Sequence, residues 1–190
     1  MIIGETMIRI AWGITGCGDK IEKVVDTMID LKNKLDLDVD VYASKSARMV
    51  LKWYKLWDKL IGEFQEIKVE VDANNPFLAG KLQSGKYDVF IVAPATANTV
   101  AKIAHCIADT LITNSVAQAI KAGVPVYIYP PDNKVGELET ILPGGKTLKL
   151  RIRKEDVENV NKLRKMEGIT VLDTVEDIRR AILKYINNNR

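Results

Sequence analysis

Cysteine and histidine are almost missing from this chain: of its 190 residues, two are cysteine and one is histidine. Cys17 and Cys106 stand far apart with no CxxC pair, which excludes a disulfide framework and an iron–sulfur cluster bound by this chain. No metal site is expected, and any iron–sulfur partner must be a separate protein. Long apolar runs are missing too. The longest, such as Val89 to Ala95, are far below the ~20 residues that span a bilayer, and the N-terminus lacks a basic stretch followed by an apolar segment. No membrane partner and a cytoplasmic location are the expectation. Nor is there an excess of one charge. The 28 basic and 25 acidic side chains leave +3, with Lys and Arg spread along the chain, so nucleic acid is not expected as a partner.

What is present suits a folded, water-soluble domain: 47% hydrophobic and 28% charged residues, in a length that fills one core but not two ordinary enzymatic ones. Met7 to Trp12 is a short apolar run that stops at Gly13, and Ile21, Val24, Val25, Met28, Leu31 and Leu35 then recur at helical spacing. Leu37 to Ala43 alternates as a second strand closed by Ser44, and Ala47 to Phe64 reads as one amphipathic helix. Ile67 to Val71 is a brief third strand and Asp72 to Pro76 a loop. Asp88 to Ala93 is apolar almost throughout, as a strand buried on both faces of a parallel sheet must be. Thr96 to Ala108 and Ser115 to Ala122 are helical by period, and Val124 to Tyr129 is another buried strand. Residues 130–150 read as a long loop or an edge hairpin, and such lengths are usually functional. A helix near Lys154 to Lys165, a strand at Thr170 to Leu172 and a helix from Val175, capped by Thr174, end the chain. Strand and helix alternate, which predicts a single α/β domain over residues 1–190: a Rossmann-like, doubly wound parallel sheet in three α/β/α layers.

Three loops carry the chemistry. Gly13-Ile-Thr-Gly-Cys-Gly-Asp19 joins the first strand to the first helix, where backbone N–H groups favour a phosphate. It is not a P-loop, because Asp19 rather than Lys follows Gly18, and it is not a dinucleotide fingerprint, because Gly16-x-Gly18 is followed by Ile21. The second strand ends in Ser44-Lys-Ser46, a hydroxyl beside a cation, which suits a terminal phosphate better than a ribose diol. A mononucleotide is favoured. The third loop, Ala93-Pro-Ala-Thr-Ala-Asn-Thr99, follows a central strand at the edge where open sheets bind ligands.

With Lys102-Ile-Ala-His-Cys-Ile-Ala-Asp109 behind it, that loop resembles the PASANT and GIAD motifs of the homo-oligomeric flavin-containing cysteine decarboxylase superfamily. The likeness runs through the Gly13 to Gly18 loop, Ser44 and Thr113-Asn114, over roughly residues 1–130. The tail, with Leu150 to Asn159 and Met166 to Ile169, resembles the archaeal flavoproteins and the related dihydromethanopterin reductases. The resemblance implies FMN as cofactor, held by residues 1–130, with residues 131–190 as a C-terminal extension of the same domain. It implies that Gly13, Thr15, Gly16 and Ser44 hold the phosphate and ribitol. Thr96, Ala97, Asn98 and Thr99 would lie against the isoalloxazine, with Ala108 and Asp109 nearby. It also implies a homo-oligomer built on trimers, with flavin sites between subunits.

The expected function is that of an FMN oxidoreductase taking electrons from a donor such as ferredoxin and passing them to an acceptor, with dihydromethanopterin one candidate. The flavin supplies the chemistry, so no catalytic residue is assigned. Two alternatives stand beside it: a decarboxylase of a cysteine-derived carboxylate, and a flavin-binding protein without turnover. The decarboxylases use a histidine in a stretch matching Phe77 to Asp88, and none stands there. His105 reads as a structural or surface histidine and Cys17 as a spacer. Trp53, Tyr54 and Trp57 read as packing before flavin or pterin stacking, and Lys149, Arg151, Arg153 and Lys154 as either a solvated edge or a dock for an acidic protein.

Overall fold

The computed structural model describes residues 7–35 and 37–189; the N-terminal stretch on which the absence of a leader was read lies outside the described residues. Six parallel strands form the main sheet: β1 (Ile8–Ile14), β2 (Leu37–Ala43), β3 (Ile67–Val69), β4 (Val89–Val92), β5 (Val126–Ile128) and, last in the chain, β8 (Ile169–Val171). Their order is β3-β2-β1-β4-β5-β8, so the winding reverses between β1 and β4, which pair from Ile10↔Val89 to Gly13↔Val92. Beyond the carboxyl ends of these two strands the loops diverge and leave a crevice.

Helices cover both faces. On one side α1 (Ile21–Lys34), α2 (Lys45–Trp53), α3 (Trp57–Phe64) and α8 (Glu176–Asn189) bury Val24, Met28, Leu51, Leu60 and Ile182 against Ile10, Trp12 and Ile91. On the other, α4 (Leu78–Gln83), α5 (Ala97–Ala104), α6 (Leu111–Lys121) and α7 (Lys154–Leu163) enclose a second core with Phe90 and Val92 at its centre. The predicted three-layer α/β/α architecture is observed. All four residues of β4 are buried, which is why its sequence does not alternate.

Several elements depart from their predicted bounds. The helix read over Ala47 to Phe64 is two, because Lys55 takes a left-handed φ of 57°. A continuous helix at 3.6 residues per turn would carry Leu56 about 140° around from Leu51; the break returns Leu56 to the core, where it is buried. β1 runs on through Gly13 to Ile14, so this glycine belongs to the strand and not to the loop. α5 stops at Ala104, since Cys106 has φ 58°, and Ile107 to Asp109 is not helical. α6 starts at Leu111, earlier than its apolar period shows, because Thr110 and Thr113 close a capping box in front of it. Of the two readings of residues 130–150 the hairpin is observed, apart from the main sheet and not at its edge: β6 (Gly136–Ile141) and β7 (Thr147–Ile152) pair antiparallel and turn at Gly144 and Gly145, both with positive φ.

Candidate functional site

The crevice is built from three strand-to-helix turns that hold one another in place. Thr15, 2% exposed, follows β1; its hydroxyl donates to the Pro94 carbonyl at 2.8 Å and accepts from the Thr96 N–H at 2.8 Å. The β1 turn and the β4 turn are thereby stitched at the switch point. Gly16 brings the β1 turn against the β2 turn, since a Cβ there would lie 2.6 Å from Ser46 Cβ. Ser44 caps α2 by accepting from the Ala47 N–H at 3.0 Å, and its own N–H donates to the Ile14 carbonyl. Thr96 caps α5 in the same way, accepting from the Thr99 N–H at 3.1 Å.

These turns border a cleft of about 570 Å³ whose walls include Thr15, Gly16, Ser44, Thr96, Asn98, Thr99 and Asp109. That is within the usual range for a small-molecule or cofactor site. Lys45 and Ser46 line it as well, giving a cation and a second hydroxyl at the N-terminus of α2. Of the other residues singled out in the sequence, Gly13 sits inside β1 and does not border the cleft. Its missing Cβ makes room for Ile112, whose Cδ1 would be 2.8 Å away, and for the Phe90 ring. Ala97 is the first residue of α5. Ala108 is exposed and faces a separate groove between Ile103 and Met166, while Asp109 borders the cleft and pairs with Lys102 at 2.8 Å. That pairing holds the Asp109 carboxyl below the usual carboxylate range.

Glu70, Asp72, Ala73, Thr110 and Ile112 also line the cleft and were not anticipated. Glu70 follows β3 and reaches across the crevice, accepting from the Lys45 N–H at 3.2 Å and the Leu111 N–H at 2.8 Å. It thus bridges the first residues of α2 and α6, two places where helix dipoles favour an anion. No local signal marks it, because its partners are 25 and 41 residues away in sequence. Asp72 lies beside it on the cleft wall.

A second cavity of about 320 Å³ adjoins the cleft, and the two share Gly16 and Thr96. Cys17, Trp53, Tyr54 and Asp132 line it, together with leucines of the β6–β7 hairpin. Burial, with Asp132 close by, pushes the Cys17 thiol up to about 12, so it is protonated at neutral pH. Trp53 is half exposed and meets Tyr54 edge-on, while Trp57 packs on the core under the cations of Arg48 and Lys52. His105 is exposed at the end of α5 and contacts Asn159 and Lys162 of α7, away from both cavities. The basic run at the hairpin is largely answered by its own acids: Lys149 pairs with Glu139, Arg153 with Asp156, and Arg151 stands opposite Glu137 in the strand register.

The profile of the flavoprotein family matches residues 4–188. The chain belongs to the flavoprotein family. Among its relatives, an uncharacterized protein of Methanocaldococcus jannaschii is 68% identical across 95% of this chain and 97% of its own length. A dihydromethanopterin reductase (acceptor) of the same organism is 30% identical across 87% of this chain and 92% of its own. The crystal structure of Burkholderia xenovorans DmrB in complex with FMN, described as a cubic protein cage for redox transfer, superposes with a TM-score of 0.82 at 29% identity. It covers 97% of this chain and 98% of that one. The dihydromethanopterin-reductase-like, archaeal branch of the flavoproteins is the one this chain resembles.

Proposed function

We propose that this flavoprotein binds FMN in the cleft and carries electrons from a ferredoxin-type donor to a small-molecule acceptor, a reduced pterin such as dihydromethanopterin. The observation that carries the reading is the convergence of the β1, β2 and β4 turns on one cleft at the switch point of a flavoprotein fold. The residues fit the cofactor. Gly16, Ser44, Lys45 and Ser46 would receive the phosphate, the N-terminus of α2 adding its dipole. Glu70 and Asp72 would face the ribityl hydroxyls, to which carboxylates can accept. Thr96, Ala97, Asn98 and Thr99 would flank the isoalloxazine, with Asp109 at the far wall. Thr15 and Gly13 would act from behind, the first by tying two turns together and the second by letting β1 pack under α6.

FMN, when bound, supplies the electron-transfer chemistry, so the chain has only to bind it, orient it and shield it from water. The acceptor class is supported by the 30%-identical relative, a dihydromethanopterin reductase (acceptor), and by the FMN-bound DmrB, a protein cage for redox transfer. Decarboxylation ranks lower. Phe77 to Asp88 contributes α4 and no histidine, and His105 is held against α7. Exposed apolar side chains at Met49, Phe77, Ile107 and Ile141 support assembly of a homo-oligomer, trimer-based as in the wider superfamily.

The reading is tested with FMN-reconstituted protein under anaerobic conditions. Reduced ferredoxin should bleach the flavin band in stopped flow, while cysteine-ended peptides and 4'-phosphopantothenoylcysteine should release no CO₂. Release of CO₂ with no bleaching would make this protein a decarboxylase instead.

A further inference from the structure

The second cavity is not needed to hold a mononucleotide, yet it opens onto the same two residues, Gly16 and Thr96, that border the cleft. Whatever occupies it lies next to whatever lies along Thr96 to Thr99. Its walls are mainly apolar: Val50, Trp53 and Tyr54 of α2 and the turn after it, and Leu138, Leu148 and Leu150 of the hairpin, all line it. Such walls suit a flat ring system, which buries both faces and leaves only its edges to polar groups.

The cavity's polar groups are Cys17, Asp19, Thr96, Thr140 and Asp132, and of these Asp132 stands out. It follows β5 and lines the cavity half-buried, and among the described residues no hydrogen bond or ion pair holds its carboxylate. Among the described residues the cation that acts on it, Arg153, is committed to Asp156 through two hydrogen bonds of 2.9 and 2.6 Å. The other acids at hand, Asp19 and Asp156, are like charges. Burial and these two acids raise the Asp132 pKa above the usual carboxylate value. A carboxylate in this position is short of donors, and a ligand bringing two parallel N–H groups would meet that need with a paired, charge-assisted contact.

We infer that this cavity seats the electron acceptor as a 2-amino-4-oxo pteridine, with Asp132 accepting from the ring N3–H and the 2-amino group. The inference rests on the redox reading above and adds to it the recognition element. The isoalloxazine cannot take the same contact, because its N3–H lies between two carbonyls with no amino group beside it. A guanidinium on a flexible chain could reach the carboxylate but would not fill the space that Trp53 and the hairpin leucines line.

The test uses the full-length, FMN-loaded protein and two ligands that differ at one group: a dihydropterin and the dihydrolumazine in which an oxo group replaces the 2-amino group. Anaerobic calorimetric titration of the wild type should show the pterin bound more than tenfold tighter. In Asp132→Asn that preference should shrink at least tenfold, with flavin content serving as the check on folding. Equal affinity of the wild type for the two ligands overturns the assignment without any variant. Turnover of dihydropterin by the wild type with unchanged pterin affinity in Asp132→Asn overturns the assignment alone and leaves the redox reading standing. Failure of the wild type to bind either ligand overturns the assignment together with the pterin-acceptor reading.

Discussion

Ser44 holds two positions at once, as the N-cap of α2 and as part of the cleft wall. The two can be separated by substitution. Aspartate is as good an N-cap as serine, so Ser44→Asp should leave thermal stability within about 1 kcal/mol of wild type. It should abolish FMN retention, because a carboxylate would stand where the phosphate is proposed. Ser44→Ala should do the reverse, costing about 1 kcal/mol of stability through the lost cap while flavin content falls less. Flavin absorbance per chain and thermal unfolding, measured together, check both; equal flavin content in wild type and Ser44→Asp would remove Ser44 from the phosphate site. Asp132 gives a second residue-scale expectation. Its folded-state pKa is raised by burial, then by Asp156 and Asp19, so its ionisation opposes folding. Near pH 3, below the ordinary aspartate value of about 3.9, both folded and unfolded chains keep the proton and nothing is lost. As pH rises the unfolded chain ionises first, and stability falls until the raised folded value is passed. Asp132→Asn should therefore melt higher than wild type at neutral pH, with the difference closing toward pH 3. A difference that persists unchanged at low pH would show a packing effect instead.

At the scale of elements, the break between α2 and α3 rests on one residue. Lys55 stands in the left-handed region, which costs a side-chain-bearing residue about 1 kcal/mol or more that glycine does not incur. Lys55→Gly should stabilise the protein by up to ~1 kcal/mol after the added freedom of the unfolded chain is subtracted, read as a shift of the denaturation midpoint at constant slope. A loss of stability would mean that the Lys55 side chain contributes more than its backbone strain removes. The same element shows where the sequence was readable and where it was not. Val50, Leu51, Leu60 and Phe64 give an amphipathic pattern on either side of the break, so helix was legible; a single positive φ between them was not. β4 was legible as an unbroken apolar run because a strand buried on both faces has no other option. The cleft was legible only in its local parts, the glycine turn and the hydroxyl-bearing caps at Ser44 and Thr96. Glu70 across two helix N-termini, and the cavity formed by Cys17, Trp53, Asp132 and the hairpin, depend on contacts between segments far apart in the chain. Ala108 marks the converse case, a motif residue that faces a different groove from the cleft.

For the whole molecule, the exposed apolar side chains are the observation behind the proposed trimer-based assembly. Light scattering coupled to gel filtration should give a mass that is a multiple of three times the 21.2 kDa chain; a monomer at micromolar concentration would contradict trimer-based assembly. The two adjoining cavities share Gly16 and Thr96, where cofactor and acceptor would meet in the proposed function. The most direct measurement of the central claim is a single-turnover reoxidation. The FMN-loaded protein is reduced under argon with reduced ferredoxin supplying two electron equivalents per flavin, the ferredoxin is removed, and dihydropterin is mixed in while the visible flavin band is followed. The band should return in step with formation of the tetrahydropterin, one pterin consumed per flavin. A flavin that stays bleached in the presence of saturating dihydropterin would contradict the proposed function.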